Sequence, residues 1–277
     1  MTTKVGFVGL GNMGKPLAAN AVQAGFDVMV YDLRETRVKE LTQAGAKAAR
    51  SAQEIGSHGE VIEIAVVDDA QVEAVILGQG GVLSGAKPGT AIAIHSTIHP
   101  KTVRKIAEAA QAKGVGVVDA QMSGGEKGAK ARTLCFMVGG EKQWFERCRP
   151  VLEASGKNVF HMGPLGTGAM TKLAQQSIVV VNMLAAYEGM QLAEKAGIDP
   201  KTFLELVHVS AGQSQVADNW LDQFNSAVAT SGHLRGRAAL FYQGLRPVLE
   251  FAHEQGVPVP GVALTQQLLF EMLEAKE

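Results

Sequence analysis

The sequence has little cysteine, almost no net charge and no long hydrophobic run. Cys135 and Cys148 are its only cysteines, too few for a disulfide framework, and neither lies in a nucleophile motif. Both are expected as packing residues of a reduced, cytoplasmic protein. The formal net charge of −1 leaves no general electrostatic footprint for nucleic acid or for an anionic membrane. No stretch reaches the roughly eighteen apolar residues of a membrane span. Val179-Val180-Val181 comes nearest, and Gln175, Gln176 and Asn182 flank it. The N-terminal apolar segment is broken by Gly6, Gly9, Gly11 and Gly14, so it does not read as a secretory leader. The seven histidines are scattered without ligand-like spacing, and no metal site is expected.

What remains is a chain of 277 residues, 46% hydrophobic and 19% charged, which suits one large or two ordinary folded domains. Its first half alternates short apolar runs with helical patterns. Val5–Val8, Asp27–Tyr31, Val61–Val67, Thr90–His95, Gly116–Val118 and Leu134–Val138 read as strands. Lys15–Ala24, Arg37–Ala44, Asp69–Leu77 and Pro100–Lys113 read as helices between them. This alternation predicts an α/β domain, a Rossmann-type doubly wound parallel sheet, over residues 1–163. After Gly163 the pattern becomes helical. Thr167–Ala196 carries no proline, and its apolar positions spread around much of a helix, as in a helix buried between others. Gly197 and Pro200 supply stop and restart signals. Further helical stretches begin at Lys201 and run over Asp218–Val228, Arg237–Gln255 and Val262–Glu277. Residues 164–277 are therefore expected to form an all-α substrate and oligomerisation domain, joined through the long helix.

The strand Val5–Val8 leads into Gly9-Leu10-Gly11-Asn12-Met13-Gly14 and then a helix. In that context the glycine pattern has a mechanism. Gly9 permits the tight turn, Gly11 lets a pyrophosphate approach the backbone, and Gly14 lets helix pack on strand. The helix N-terminus faces the negative charge. A second strand ends in Tyr31-Asp32, where a carboxylate binds ribose hydroxyls and repels the extra phosphate of NADP. NAD is therefore favoured over NADP. Arg34 and Arg37 lie close enough in sequence either to reverse that preference or to be solvated residues at a helix start.

Read in full, Val-Gly-Phe-Val-Gly-Leu-Gly-Asn-Met-Gly resembles the β-hydroxyacid dehydrogenase family, which includes 3-hydroxyisobutyrate dehydrogenases and semialdehyde reductases. Three more segments carry the resemblance over essentially the whole chain. His95-Ser96-Thr97 is similar to the family's Ser-Thr element near the nicotinamide, which implies a cofactor contact at Thr97, and the loop ending at Val67 is implied as another. Asp119-Ala-Gln-Met-Ser-Gly-Gly-Glu-Lys-Gly-Ala129 is similar to the substrate segment, with Ser123, Gly124 and Gly125 gripping a carboxylate. Gly163-Pro-Leu-Gly-Thr-Gly-Ala-Met-Thr-Lys172 matches the entry to the long helix and places Lys172 on the family's catalytic lysine. In residue terms, a lysine early in a mostly apolar helix either snorkels to the surface or serves chemistry. The resemblance implies the second, a proton given to a carbonyl oxygen as hydride arrives and taken back in oxidation. Gly168, one turn earlier, leaves room for substrate or cofactor to come close. Gln176, one turn later, orients the substrate hydroxyl.

The sequence also departs from the family. Gln176 stands where Asn is usual, and Ala65-Val66-Val67 replaces Met-Leu-Pro. Gln121-Met122 replaces Pro-Val. Gln243-Gly244-Leu245 replaces Lys-Asp-Leu, leaving Gln243 at a cofactor-facing position, with His233, Arg235 and Arg237 as replacement charges or as surface residues. These changes surround one expected site while Lys172 is kept, which points to altered substrate preference. The expected activity is NAD(P)-dependent interconversion of a β-hydroxyacid and its aldehyde or keto acid. The partners expected are a small-molecule substrate and further copies of the chain, as a homodimer or homotetramer through the helical domain. Two alternatives stay open: C=N reduction of the imine reductase kind, which typically lacks the lysine, and a cofactor-binding sensor with little turnover.

Overall fold

The computed structural model describes residues 2–220 and 234–273; the side chains of 100, 234–241 and 243 lie outside that description. The chain divides into two compact units, residues 1–172 and 173–277.

The first unit is built on an eight-stranded sheet of order β3-β2-β1-β4-β5-β6-β7-β8. Its strands are β1 (Lys4–Val8), β2 (Asp27–Tyr31), β3 (Lys47–Ala48), β4 (Val61–Ile64), β5 (Ala91–Ile94), β6 (Gly116–Ser123), β7 (Leu134–Gly139) and β8 (Gly156–Gly163). Every neighbouring pair is parallel except β6–β7. The chain order reverses at β1, so a crevice opens beyond the carboxyl ends of β1 and β4, where doubly wound sheets take their ligands. Two apolar layers cover the sheet. Phe7, Leu17, Val30, Phe136 and Phe145 belong to one, and Ile55, Ile64, Ile76, Ile94 and Ile106 to the other. Strands buried on both faces explain the unbroken Val/Ile runs.

Several boundaries differ from those expected. Val61–Val67 ends as a strand at Ile64, and Gly116–Val118 continues to Ser123, so Asp119, Gln121 and Ser123 are strand residues. β3 and β8 were not expected: β3 is a two-residue exposed edge, and most of β8 faces solvent, so neither shows an apolar run. α8 (Lys142–Glu153) holds Pro150 inside it, which reads as a helix stop. Pro150 removes the intrahelical donor to the Glu146 carbonyl, but both residues are exposed, so solvent can meet that carbonyl. Between β6 and β7 stands only α7 (Gly125–Ala131), too short for a parallel crossover, and the strands pair antiparallel.

The second unit is helical. α9 (Thr167–Lys195), α10 (Pro200–His208), α11 (Gln215–Asp218), α12 (Leu234–Glu254) and α13 (Pro260–Leu273) are its described helices, with α9 beginning in the first unit. Leu173, Val180, Met183, Leu184 and Met190 form a buried stripe of α9 against Trp220, Leu245, Val248, Val262 and Leu269. Ile178 and Leu192 are 64% and 73% exposed, so within one chain α9 is buried on a stripe and not around its girth. Among the described residues no helix is long and apolar enough to cross a membrane.

Candidate active site

The three loop glycines are needed for two different reasons. Gly9 has φ +89°, and a Cβ on it would lie 2.5 Å from the Ala65 carbonyl oxygen; one on Gly14 would lie 1.9 Å from the Gly9 oxygen. Both are demanded by the protein's own packing. A Cβ on Gly11 would meet nothing nearer than Arg37 Nη1 at 3.8 Å. The empty space there lies outside the chain, as a close approach by a phosphate requires. Met13 precedes α1 (Gly14–Gln23) with no side-chain cap, and Asn12 is exposed beside it.

Asp32 is tied into this loop. Its Oδ2 accepts the Leu10 N–H at 2.6 Å and lies 3.5 Å from Arg37 Nη1, while Oδ1 accepts the Arg34 N–H at 2.8 Å. The charge of Arg37 is therefore directed at Asp32. Leu33 and Val67, which follow β2 and β4, are 89% and 79% exposed. Both follow the carboxyl ends of strands, the edge where doubly wound sheets take their ligands, and Leu33 carries no sequence signal beyond its place after Asp32. The loop fits a dinucleotide.

On the other side of the crevice, Ser96 Oγ donates to the Val66 carbonyl at 2.7 Å and Thr97 Oγ1 donates to Gln121 Oε1 at 3.2 Å. Ser123 ends β6 directly opposite Cys135 on β7. Gly124 and Gly125 then turn the chain with φ +123° and +60°, a region closed to most side chains. Lys172 is half-buried, and burial holds its ammonium below the ordinary lysine range, opposed by the Cys135 thiol. Cys135 in turn is pushed up by burial and pulled down by Lys172. Lys172, Cys135 and Ser123 thus gather at one end of the β6–β7 pair. Among the described residues Lys172 forms no ion pair.

The start of α9, just before Lys172, is held by Asp119, which the sequence alone did not single out. Asp119 is 0% exposed; its Oδ1 accepts Gly166 N–H and its Oδ2 accepts Ala169 N–H, both at 2.7 Å. Burial raises its pKa, opposed by the amides of Gly166, Ala169 and Gly168. A carboxylate among the first amides of α9 satisfies donors that a helix start leaves over. The signal was an aspartate inside an otherwise apolar strand.

Gly168 has a different role from the one expected. A Cβ there would come 2.3 Å from the Asp119 oxygen and 2.6 Å from the Met137 oxygen, so the space belongs to the backbones of β6 and β7 and not to a ligand. Gly168→Ala is expected to cost about 1–3 kcal/mol through overpacking, measured as a lower urea midpoint. Unchanged stability would show that α9 shifts freely at its start.

Gln176 follows Lys172 by one turn of α9 and is half-buried. The side chain of Gln243, with those of Arg235 and Arg237, lies outside the described residues, as does His233. No three His, Cys, Asp or Glu side chains among the described residues come together as a metal site would need.

Comparison with known proteins identifies the family. Residues 4–163 match the family described as the NAD binding domain of 6-phosphogluconate dehydrogenase. Residues 166–277 match the one described as NAD-binding of NADP-dependent 3-hydroxyisobutyrate dehydrogenase. The chain is 36% identical over 267 residues to 2-(hydroxymethyl)glutarate dehydrogenase of Eubacterium barkeri, covering 96% of this chain and 87% of that protein. It is 38% identical over 237 residues to 3-hydroxyisobutyrate dehydrogenase of Pseudomonas aeruginosa, covering 84% and 80%. A crystal structure of 3-hydroxyisobutyrate dehydrogenase from Salmonella typhimurium superposes with a TM-score of 0.81 at 30% identity, over 97% of this chain and 93% of that one. An imine reductase from Pseudomonas sp. superposes at 0.67 with 22% identity, over 99% and 100%, a likeness of fold alone. The chain belongs to the β-hydroxyacid dehydrogenase family of the 3-hydroxyisobutyrate dehydrogenase type, NAD(P)-dependent oxidoreductases acting on small molecules.

Proposed function

We propose that this chain interconverts a β-hydroxyacid and the corresponding aldehyde or keto acid, with Lys172 as general acid and base. The observation that carries the reading is the half-buried Lys172, its pKa lowered by burial, at the β6–β7 end where Ser123 and the Gly124–Gly125 turn lie. A bound nicotinamide would supply or accept the hydride. Lys172 Nζ gives a proton to the carbonyl oxygen in reduction and removes it from the hydroxyl in oxidation. Ser123 and the backbone of Gly124 and Gly125 hold the substrate carboxylate, and Gln176 orients the reacting hydroxyl, its extra methylene relative to the family's Asn shifting that contact. In this reading Gly9, Leu10, Gly11, Asn12, Met13 and Gly14 hold the pyrophosphate, Asp32 the adenosine ribose, Val67 the adenine side, and Thr97 and Gln243 the nicotinamide side. The division of labour falls at residues 1–163 and 164–277, close to where the two family matches meet.

NAD is the preferred coenzyme. Arg37 is already engaged with the Asp32 carboxylate, so a 2′-phosphate meets a negative charge whose counter-ion is committed. Asp32→Ser is expected to lower the NADH-over-NADPH preference in kcat/KM by at least about tenfold, the value of one or two charged hydrogen bonds. An unchanged ratio would remove Asp32 from coenzyme selection. Exposed Ile178, Leu192, Leu206 and Phe270 support self-association of the helical domain as a dimer or tetramer, read by light scattering, in a cytoplasmic protein.

The deciding experiment is NADH and NADPH oxidation across aldehyde acids, keto acids, simple aldehydes and cyclic imines. Turnover of an aldehyde or keto acid supports the reading. Turnover of imines alone favours C=N reduction, and tight NADH binding with no turnover favours a sensor.

A further inference from the structure

Gln121 stands where the family resemblance places proline, deep in β6 and 1% exposed. A glutamine amide can point either way, but here its surroundings fix it. Its nitrogen lies 3.0 Å from the Ser96 carbonyl oxygen and 3.5 Å from that of Ile94. Carbonyl oxygens only accept, so the NH₂ group must face them. The amide oxygen is thereby turned to Thr97 Oγ1, 3.2 Å away, and an amide oxygen also only accepts. The Thr97 hydroxyl must therefore donate to Gln121. Its single proton is spent inside the protein, and what it offers on its exposed side is lone pairs.

We infer that Gln121 is a positioning residue that sets the polarity of Thr97, making Thr97 an acceptor for the carboxamide N–H of the nicotinamide and not a donor to its carbonyl. The inference rests on the proposed coenzyme reading, in which Thr97, at the carboxyl end of β5, lies on the nicotinamide side of the crevice. Its consequence concerns the carboxamide alone: a site that only accepts at Thr97 favours the rotamer whose NH₂ faces Thr97. Proline at 121 cannot impose this, because it has no side-chain amide.

The test is equilibrium binding of NADH and of its reduced 3-acetylpyridine analogue, in which a methyl ketone replaces the carboxamide and no N–H remains. Dissociation constants come from titration calorimetry on wild type, Gln121→Met and Thr97→Val. Wild type is expected to bind NADH about tenfold more tightly than the analogue, the worth of one hydrogen bond. Gln121→Met frees the Thr97 proton to meet either carbonyl, and the preference is expected to fall to about twofold or less. Thr97→Val, a change at an exposed position that leaves β6 intact, is expected to erase the preference in the same way. A merely structural role for Gln121 would weaken both ligands alike and leave their ratio untouched. Equal binding of both ligands by wild type, or a preference that survives in Thr97→Val, overturns the inference alone. Failure of wild type to bind either dinucleotide overturns the coenzyme reading along with it.

Discussion

Lys172→Ala is expected to bind NADH almost as wild type does and to turn over its aldehyde-acid substrate about 10²–10⁴-fold more slowly, the usual worth of a placed acid–base group. The size of the effect follows from location. Lys172 is half-buried on the first turns of α9, and no carboxylate among the described residues pairs with it. Burial is the first cause of its lowered pKa, because a charged ammonium loses hydration there. The sign of the pH dependence follows. Reduction needs the protonated amine, so its rate falls as pH rises through the lowered value. Oxidation needs the neutral amine, so its rate rises through the same value. Both limbs are expected below the ordinary lysine range, and both should vanish in Lys172→Ala. Lys172→Arg separates charge from proton transfer: a guanidinium keeps the charge but cannot release a proton in proteins, so oxidation should fail in it as in the alanine variant. Rates indifferent to Lys172, with substrate turnover intact, would end its assignment as acid and base.

Such a lysine was visible in the sequence because its neighbours are local. Gly163–Lys172 is one contiguous segment, and so are the glycine loop and the strand that feeds it. Asp32 was visible for a related reason, since β2 follows α1 by a short connection and its end falls at a fixed distance from the loop. The long helix was legible as well, because Thr167–Lys195 carries no proline to stop it. The contacts that were not legible run across the chain. Asp119 caps amides 47 and 50 residues away, and Gln121 reaches carbonyls 25 and 27 residues away. Nothing in their immediate surroundings announces those partners. Even the meaning of Gly168 was hidden, since only the strands packed against it reveal that its missing side chain makes room for backbone. The antiparallel turn of β6 into β7 was equally invisible, because it depends on α7 being too short to cross the sheet.

The second large effect is expected in the core of the first unit, where Glu63→Leu or His95→Leu alone should cost about 3–5 kcal/mol of folding stability. β4 reads Val-Ile-Glu-Ile, and its glutamate is 2% exposed on the face that also carries Ala93 and Ala120. His95, at the end of β5, is 4% exposed. Its Nδ1 lies 2.7 Å from the Ala120 carbonyl oxygen, which only accepts, so Nδ1 carries a proton. Nε2 forms a short hydrogen bond with Glu63 Oε2, and one further proton lies between them. With that proton on either atom, the pair as a whole is neutral. Removing one member leaves a buried carboxyl or imidazole without its partner, which is why the single changes are costly. Glu63 Oε1 already has no hydrogen-bond partner among the described residues, and Cys148 on α8, its thiol pushed up by burial and then by Glu63, faces the same carboxylate. The pair is therefore an expensive way to fill the core. Glu63→Leu combined with His95→Leu is expected to be more stable than the weaker single variant, because no orphaned charge remains. The pH dependence gives an independent reading. Burial lowers the His95 pKa, but the charge of Glu63, its hydrogen bond and the Ala120 carbonyl together outweigh it and leave the pKa raised. A raised folded pKa contributes stability in full below the ordinary histidine value, and that contribution is lost as pH rises through the folded value. Urea midpoints of wild type should thus decline from neutral towards alkaline pH more steeply than those of the double variant. Single variants as stable as wild type, or identical slopes in wild type and the double variant, would show that the proton between Glu63 and His95 contributes nothing to folding.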